Sequence, residues 1–312
     1  MIGVALVAAL LQSGVASAQP DQPSGSPPLT FKSSVDSVRL TAVVRDKKGR
    51  FVRDMTVRDF EVLDGGISRR ITEFRHDESA LSIAFLFDVS GSMESRLTHA
   101  REAAEQILSG LTQEGDEAAV YTFDTRLEEI TPFTTGLQRL PQAMQTMTPF
   151  GATSLHDAVA KTAEKTATRA GLRRAVVVLT DGLDNASRLT APEVSGLASS
   201  IDVPIYVVGI VPSIDNPSAD ISVTTYKRSA VTGSLGDLAL WTGGRAFVAS
   251  TVAERSQAAH QIVEELRQQY LIAFESSGNP GWHPLVVRAR DKDLTVRARS
   301  GYFAGQSRPV SD

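Results

Sequence analysis

The sequence has no cysteine, so neither disulfide bonds nor thiolate metal ligands contribute to its fold or its chemistry. A lipid anchor on an N-terminal cysteine is excluded for the same reason. The five histidines are scattered along the chain and show no spacing typical of a zinc site. Zinc sites built from cysteine and histidine are therefore not expected.

A strong excess of charge is also absent, because 32 basic and 36 acidic residues give a formal net charge of -4. Such a balance creates no strong electrostatic field, so we expect no nucleic acid and no anionic membrane surface as a partner. Neither a phosphate-binding P-loop nor a dinucleotide-binding fingerprint occurs. The hydrophobic content of 42% is ordinary for a globular protein.

The N-terminus combines an apolar stretch with a segment rich in proline, serine and glycine. Residues 1–18 end in Ala16-Ser17-Ala18, a small-residue cleavage pattern, and predict an export signal, although no Lys or Arg precedes the apolar run. Residues 19–30 are predicted to be a disordered linker. The remaining chain has no apolar run long enough for a membrane span, so we expect a periplasmic or secreted protein.

Buried strands alternate with amphipathic helices between residues 79 and 269. Nearly continuous apolar runs are typical of strands buried on both faces, and they occur at residues 82–87, 118–123, 175–179 and 203–210. Apolar residues at helical spacing lie between these runs. The pattern predicts an α/β fold with a doubly wound, mostly parallel, Rossmann-like sheet.

Short β-type segments flank this region on both sides. The N-terminal segment, residues 31–78, and the C-terminal segment, residues 270–305, are each too short to hold a good core alone. We therefore expect them to pack together as a small β domain into which the α/β domain, residues 79–269, is inserted. Residues 306–312 would form a tail.

Polar side chains follow the first buried strand and recur at two later points. Alternate residues of an extended segment point the same way, and the carboxyl edge of an open parallel sheet is where ligands bind. Residues 151–154 and the end of the strand at 175–179 should reach the same edge as residues 88–92. The side chains expected to converge there are Asp88, Ser90, Ser92, Thr153 and Asp181. Two carboxylates and three hydroxyls form a set of hard oxygen ligands that suits Mg²⁺, Mn²⁺ or Ca²⁺ rather than zinc.

The alternative interpretation is that these residues only cap helices and form turns. Ser92 and Thr153 would then begin helices, and Asp181 would lie in a turn. Each assignment is reasonable alone, but the convergence of all five residues on one sheet edge favours the metal site.

These three segments resemble the three loops of von Willebrand factor type A domains, and the resemblance covers about residues 79–269. In that family the loops form the metal-ion-dependent adhesion site. Ser90, Ser92 and Thr153 match its hydroxyl ligands, and Asp88 and Asp181 match carboxylates that coordinate directly or through water. The flanking β segments resemble those of exported bacterial proteins built around this domain.

The resemblance implies a non-enzymatic module for adhesion or assembly that binds a divalent cation, Mg²⁺ first and Mn²⁺ or Ca²⁺ as alternatives. An Asp or Glu of an unknown protein partner would bind at the cation. One alternative is a structural envelope scaffold without an obligatory metal. Another is a cation-assisted hydrolase, for which no histidine is obviously placed to activate Ser90 or Ser92.

A long connection at residues 211–234 leaves the same edge of the predicted sheet. Long loops are either functional or mobile, and both interpretations stand here. If the loop is functional, the residues expected to contact the partner are Asp215, Asp220, Tyr226 and Lys227. Asp184 and Asn185 are expected to lie in a solvated turn, the alternative being that they support the metal-binding loop.

Overall fold

The structure is a computed structural model that describes residues 37–171, 173–211 and 234–304. The predicted export signal, linker and C-terminal tail lie outside the described residues, as do Asp215, Asp220, Tyr226 and Lys227. Strands in the described ranges form one sheet of six strands and two sheets of four. No helix in these ranges has both the length and the apolar character that crossing a membrane requires.

The six-stranded sheet has the order β10-β9-β8-β5-β6-β7. All its neighbouring strands pair in parallel except the edge strand β7, which is antiparallel to β6. Its strands are β5 (Ser82–Asp88), β6 (Glu117–Phe123), β7 (Leu127–Thr135), β8 (Arg174–Thr180), β9 (Ile205–Gly209) and β10 (Ala246–Val248). Because β5 lies between β6 and β8, the loops that follow these three strands open at one edge.

Helices cover both faces of this sheet. They are α1 (Leu97–Leu108), α2 (Gln142–Thr146), α3 (Leu155–Ala167), α4 (Ala191–Ser200), α5 (Ser234–Trp241) and α6 (Val252–Arg267). Helices α1 and α6 pack in one hydrophobic cluster with Phe85 and Phe87 of β5. Helices α3, α4 and α5 pack in a second cluster with Ala84 and Leu86. Successive side chains of β5 thus enter opposite cores, which explains its unbroken apolar sequence.

Two four-stranded antiparallel sheets flank the α/β unit. One has the order β13-β1-β11-β4 and the other β14-β12-β2-β3. The strands before the α/β unit are β1 (Ser37–Asp46), β2 (Phe60–Asp64), β3 (Ile67–Arg69) and β4 (Ile71–His76). Those after it are β11 (Gln269–Glu275), β12 (Gly281–Ala289), β13 (Leu294–Arg297) and β14 (Gly301–Ala304). Residues of both sheets, such as Leu40, Val62 and Ile272, share one hydrophobic cluster.

Strands from the two ends of the chain pair directly within these sheets. Strand β1 lies between β11 and β13, with Leu40 opposite Ile272 and Val44 opposite Val296. Strand β2 pairs with β12, which puts Val62 opposite Val287. The predicted fold class is confirmed: a doubly wound, mostly parallel sheet is accompanied by small β sheets from the flanking segments.

A buried carboxylate connects the last helix of the α/β unit to one of the flanking sheets. The side chain of Glu265 in α6 is 0% exposed and forms ion pairs with Arg45, Arg245 and Arg297. Arg45 belongs to β1 and Arg297 to β13, whereas Arg245 precedes β10. One carboxylate therefore connects α6 to two adjacent strands of the same flanking sheet and to the residue before β10.

Candidate metal site

The carboxyl end of β5 brings three of the five predicted ligands together. Oδ1 of Asp88 accepts hydrogen bonds from the Ser90 backbone N–H at 3.0 Å and from the Ser90 hydroxyl at 2.6 Å. The hydroxyl oxygens of Ser90 and Ser92 are 3.2 Å apart. A short 3₁₀ helix, Gly91–Met93, turns the chain here. The alternation expected for Asp88, Ser90 and Ser92 thus produces one cluster of oxygen atoms.

The loop that carries Thr153 lies against this turn through main-chain hydrogen bonds. The Phe150 N–H donates to the Val89 carbonyl at 2.8 Å, and the Gly91 N–H donates to the Gly151 carbonyl at 3.1 Å. Gly151 has a φ of 91°, a conformation that favours glycine. Thr153 follows it and is buried. The second predicted loop therefore reaches the same edge of the sheet as the first.

Strand β8 brings Asp181 to the same edge. The preceding residue, Thr180, donates its hydroxyl to Oδ2 of Asp88 at 2.6 Å. Asp181 forms an ion pair with Arg96, which precedes α1, and also accepts the Leu183 N–H at 3.2 Å. The three predicted loops are therefore neighbours in the structure.

The carboxyl of Asp88 is completely buried, and this burial raises its pKa. Hydrogen bonds from Ser90 and Thr180 act in the opposite direction, and the negative charge of Asp181 raises the pKa further. The net result is a pKa above the usual value. The site thus disfavours the charged form of Asp88 unless a positive charge is added.

The donor set fits a hard divalent cation. Its side-chain oxygens come from two carboxylates and three hydroxyls, the ligand type that Mg²⁺, Mn²⁺ and Ca²⁺ accept. Within the described ranges, no three His, Asp or Glu side chains gather as a metal-binding group. A cation here would therefore depend on the hydroxyls of Ser90, Ser92 and Thr153 as well as on the two carboxylates.

Four neighbouring residues support the site: three of them were not assigned this role from the sequence, and for the fourth it was only the alternative expectation. Thr180 holds Asp88, and Arg96 pairs with Asp181. Asp124, which follows β6, accepts the Arg126 N–H and lies 3.5 Å from where a side chain on Gly151 would begin. The fourth residue is Asn185. Thr180 and Asp124 could have been found from the sequence because each lies at the end of a predicted strand. No feature of the neighbouring sequence indicated a role for Arg96.

The expectation of a solvated turn at Asp184 and Asn185 holds only in part: Asn185 is exposed, but both residues also make the contacts that the alternative expected. Oδ1 of Asn185 accepts the Thr153 N–H at 2.9 Å, and the Asn185 N–H donates to the Thr153 carbonyl at 3.1 Å. Asp184 accepts the His156 N–H at 3.2 Å and lies 2.5 Å from Nδ1 of the same residue. These contacts fasten the loop after β8 to the loop that carries Thr153.

Residues 83–183 match the family model of the von Willebrand factor type A domain. All five predicted ligands fall inside this matched region. The chain carries a von Willebrand factor type A domain. The resemblance inferred from its three loops is confirmed.

Solved structures of similar proteins include other von Willebrand factor type A domains. The chain is 15% identical to one from Catenulispora acidiphila, with a TM-score of 0.42 over 88% of this chain and 75% of the other. BatB from Bacteroides thetaiotaomicron is 16% identical, with a TM-score of 0.48 over 60% of this chain and 98% of BatB. An aerotolerance-related membrane protein from Bacteroides fragilis is 18% identical, with a TM-score of 0.47 and the same two coverages. No curated protein matched the chain.

Proposed function

We propose that this von Willebrand factor type A domain binds a divalent cation and uses it to bind a protein partner through an Asp or Glu side chain. The observation that carries the proposal is the pair of hydrogen bonds from the Ser90 and Thr180 hydroxyls to the buried carboxyl of Asp88, each 2.6 Å long. Main-chain hydrogen bonds that hold the loop of Thr153 against the turn at Gly91 also support it. Mg²⁺ is the first expectation, with Mn²⁺ and Ca²⁺ as alternatives.

Once a divalent cation is bound, the charges around the site would favour an anionic partner. Asp181 is already paired with Arg96, so Asp88, Asp181 and Arg96 together carry one net negative charge. Ser90, Ser92 and Thr153 add neutral oxygens only. A bound divalent cation supplies a Lewis-acid position with an excess of positive charge, which attracts a carboxylate from outside the chain.

A binding role is proposed in preference to catalysis. In the part of the chain that the structure describes, the Ser90 hydroxyl donates to Asp88 and lies beside Ser92, rather than beside a histidine. A serine nucleophile needs a base that accepts its proton. The geometry instead directs these hydroxyls toward the cluster of oxygen atoms.

A metal-free scaffold is the second candidate, and the Arg96–Asp181 ion pair favours it. This pair supplies a positive charge at the site without a metal ion. The domain would then act as a structural part of an envelope assembly. Asp88 would only accept the hydrogen bonds from Ser90 and Thr180 that hold the loop in place.

Calorimetric titration of the full chain with Mg²⁺, Mn²⁺ and Ca²⁺ separates these two functions. We expect saturable binding of one cation that is lost in Asp88→Ala and retained in Asp293→Ala, whose side chain is 64% exposed and pairs with Lys47. Absence of cation binding in the unaltered chain would reject the proposal and leave the scaffold. Circular dichroism of each variant confirms that the fold is intact.

We also propose that the protein works outside the cytoplasm, on the basis of residues 1–18. The full chain, produced in a bacterium, should be recovered from the periplasm or the medium with Gln19 as its first residue. Mass spectrometry of the N-terminal peptide measures this. Recovery of the uncleaved chain from the cytoplasm alone would contradict export.

A further inference from the structure

Two large apolar side chains are exposed on the loops that carry the candidate metal site. Phe150 is 82% exposed, the largest value among the large hydrophobic residues that the structure describes, and Leu183 is 49% exposed. Isolated exposed apolar residues are ordinary on protein surfaces. These two are distinguished by their position, because Phe150 precedes the Gly151–Thr153 segment and Leu183 lies two residues after Asp181.

The backbone of Phe150 is held close to the site. Its N–H donates to the carbonyl of Val89, which lies between Asp88 and Ser90, at 2.8 Å. The next residue, Gly151, accepts the Gly91 N–H at 3.1 Å. The Phe150 ring is therefore carried by a loop with two fixed main-chain contacts. Little backbone conformational entropy remains to be lost when a partner covers the ring.

The backbone of Leu183 is held in a similar way on the other loop. Its N–H donates to Oδ1 of Asp181 at 3.2 Å. The N–H groups of Asn185 and Ala186 donate to the Thr153 carbonyl at 3.1 and 3.0 Å, which fastens this loop to the one that follows Phe150. The two exposed side chains thus belong to one connected set of loops around the candidate ligands.

We propose that Phe150 and Leu183 form an apolar contact surface beside the metal site, and that the partner presents an Asp or Glu flanked by large apolar residues. This inference rests on the proposed function. A cation attracts any exposed carboxylate, so the charge alone selects poorly among acidic segments. Apolar contact with Phe150 and Leu183 would add selectivity. Aromatic side chains contribute most to the free energy of binding where a partner excludes water from them.

The charge at the site and the exposed apolar side chains together define one occupant. The excess positive charge of a bound cation would complement a carboxylate, and Phe150 and Leu183 lie on the loops that carry the candidate ligands. A purely acidic segment would leave Phe150 in water. A purely apolar segment would leave the cation without its anion. A protein segment with a leucine two residues before and two residues after a glutamate satisfies both, because alternate side chains of an extended segment point the same way.

Two synthetic nine-residue peptides test the proposal. One carries Leu-Ser-Glu-Ser-Leu at its centre and the other Ser-Ser-Glu-Ser-Ser, with identical flanking residues and equal charge. Each is immobilised on a biosensor, and binding of the full chain is measured with Mg²⁺ and with a chelator. The variants are Phe150→Ser, Asp88→Ala and the control Ile67→Ser, which removes an apolar side chain that is 62% exposed on β3.

We expect the full chain to bind the leucine peptide about tenfold more tightly than the serine peptide when Mg²⁺ is present, because burial of two leucine side chains against Phe150 adds apolar contact. Phe150→Ser should reduce this preference to about threefold or less and leave Mg²⁺ binding in calorimetry unchanged. Ile67→Ser should keep the preference, and Asp88→Ala should lose Mg²⁺-dependent binding of both peptides.

The outcomes distinguish a failure of this inference from a failure of the proposed function. If the chain binds Mg²⁺ but binds both peptides equally, or binds neither, the apolar contact surface is overturned and the metal site remains. The same conclusion follows if Phe150→Ser and Ile67→Ser reduce the preference equally. If the chain binds no cation in calorimetry, the proposed function fails and the inference fails with it.

Discussion

Replacing Glu265 with glutamine should destabilise the protein strongly, because its carboxylate forms ion pairs with three arginines at the junction between α6 and one flanking sheet. Its Oε1 lies 3.0 Å from Arg45 and 3.4 Å from Arg245, and its Oε2 accepts from Arg297. Removal of one partner from a buried ion pair costs about 3–5 kcal/mol. Glutamine preserves the size of the side chain, so the change isolates the charge.

The exposure of the arginines places the expected cost near the lower end of that range. The side chains of Arg45, Arg245 and Arg297 are 23%, 44% and 18% exposed, so water reaches them when the carboxylate is gone. We therefore expect a loss of about 3 kcal/mol in the free energy of unfolding. For a chain of this size, the melting temperature should fall by roughly 5 °C.

Urea unfolding followed by tryptophan fluorescence measures this loss. Glu264→Gln is the matched control, since Glu264 is the preceding residue on α6, is 37% exposed, and lies 3.9 Å from His260. An exposed pair of this kind contributes less than about 1 kcal/mol. Equal unfolding midpoints for Glu265→Gln and Glu264→Gln would refute the assignment of a stabilising role to the three-arginine contact.

The effect should also depend on pH in a defined direction. Burial raises the pKa of Glu265, but Arg297, Arg245 and Arg45 more than offset this effect, and the net pKa lies below the usual glutamate value of 4.5. A carboxylate with a lowered pKa stabilises the fold fully above its unfolded pKa and loses that contribution as the pH falls through its folded pKa. The stability difference between the unaltered chain and Glu265→Gln should therefore be constant near pH 7 and shrink below about pH 4.5.

Two further predictions concern side-chain contacts that the structure makes specific. Thr180→Val removes the hydroxyl that donates to Asp88 at 2.6 Å, so it should lower the free energy of unfolding in urea by about 1–3 kcal/mol and weaken cation binding. Thr180→Ser keeps the hydrogen bond and is the control. Equal cation affinity in the two variants would contradict this prediction. Gly244→Ala should prevent stable folding, because its new methyl group would overlap the Ile205 carbonyl. Gly196→Ala lies inside α4, and its new methyl group would be 3.5 Å from the Phe303 ring, so it should instead stabilise the protein by about 0.5–1 kcal/mol. A higher melting temperature for Gly244→Ala than for Gly196→Ala would refute the packing argument.

The central strands could be predicted because burial on both faces leaves a direct record in the sequence. All of β5 is buried, and its apolar run was recognisable without knowledge of its neighbours. Strand β7 escaped detection because it is an edge strand whose residues are mostly exposed or half-buried. Helix α4 escaped detection because it contains Gly196 and several serines, although Thr190 and Glu193 form a capping box at its start.

The five candidate ligands could be chosen from the sequence because strand-end position and residue type are local properties. Asp88 ends β5, Asp181 follows β8, and Thr153 lies shortly before α3. Their roles as ligands stay predictions. The supporting contacts could not be chosen in this way, since Asn185 and Thr153 are 32 residues apart in sequence.

The sequence by itself determined which segments become buried strands, which become amphipathic helices, and which oxygen side chains lie at the strand ends. These features depend on periodicity and on neighbours within a few residues. Only the tertiary structure decided that Thr180 holds Asp88 across 92 residues and that Arg96 pairs with Asp181 across 85. The reason is that these contacts follow from the order in which β8, β5 and β6 lie side by side, and a sheet order is set by long-range packing. The same packing decided that Glu265 is buried among three arginines and that Phe150 remains exposed beside the site.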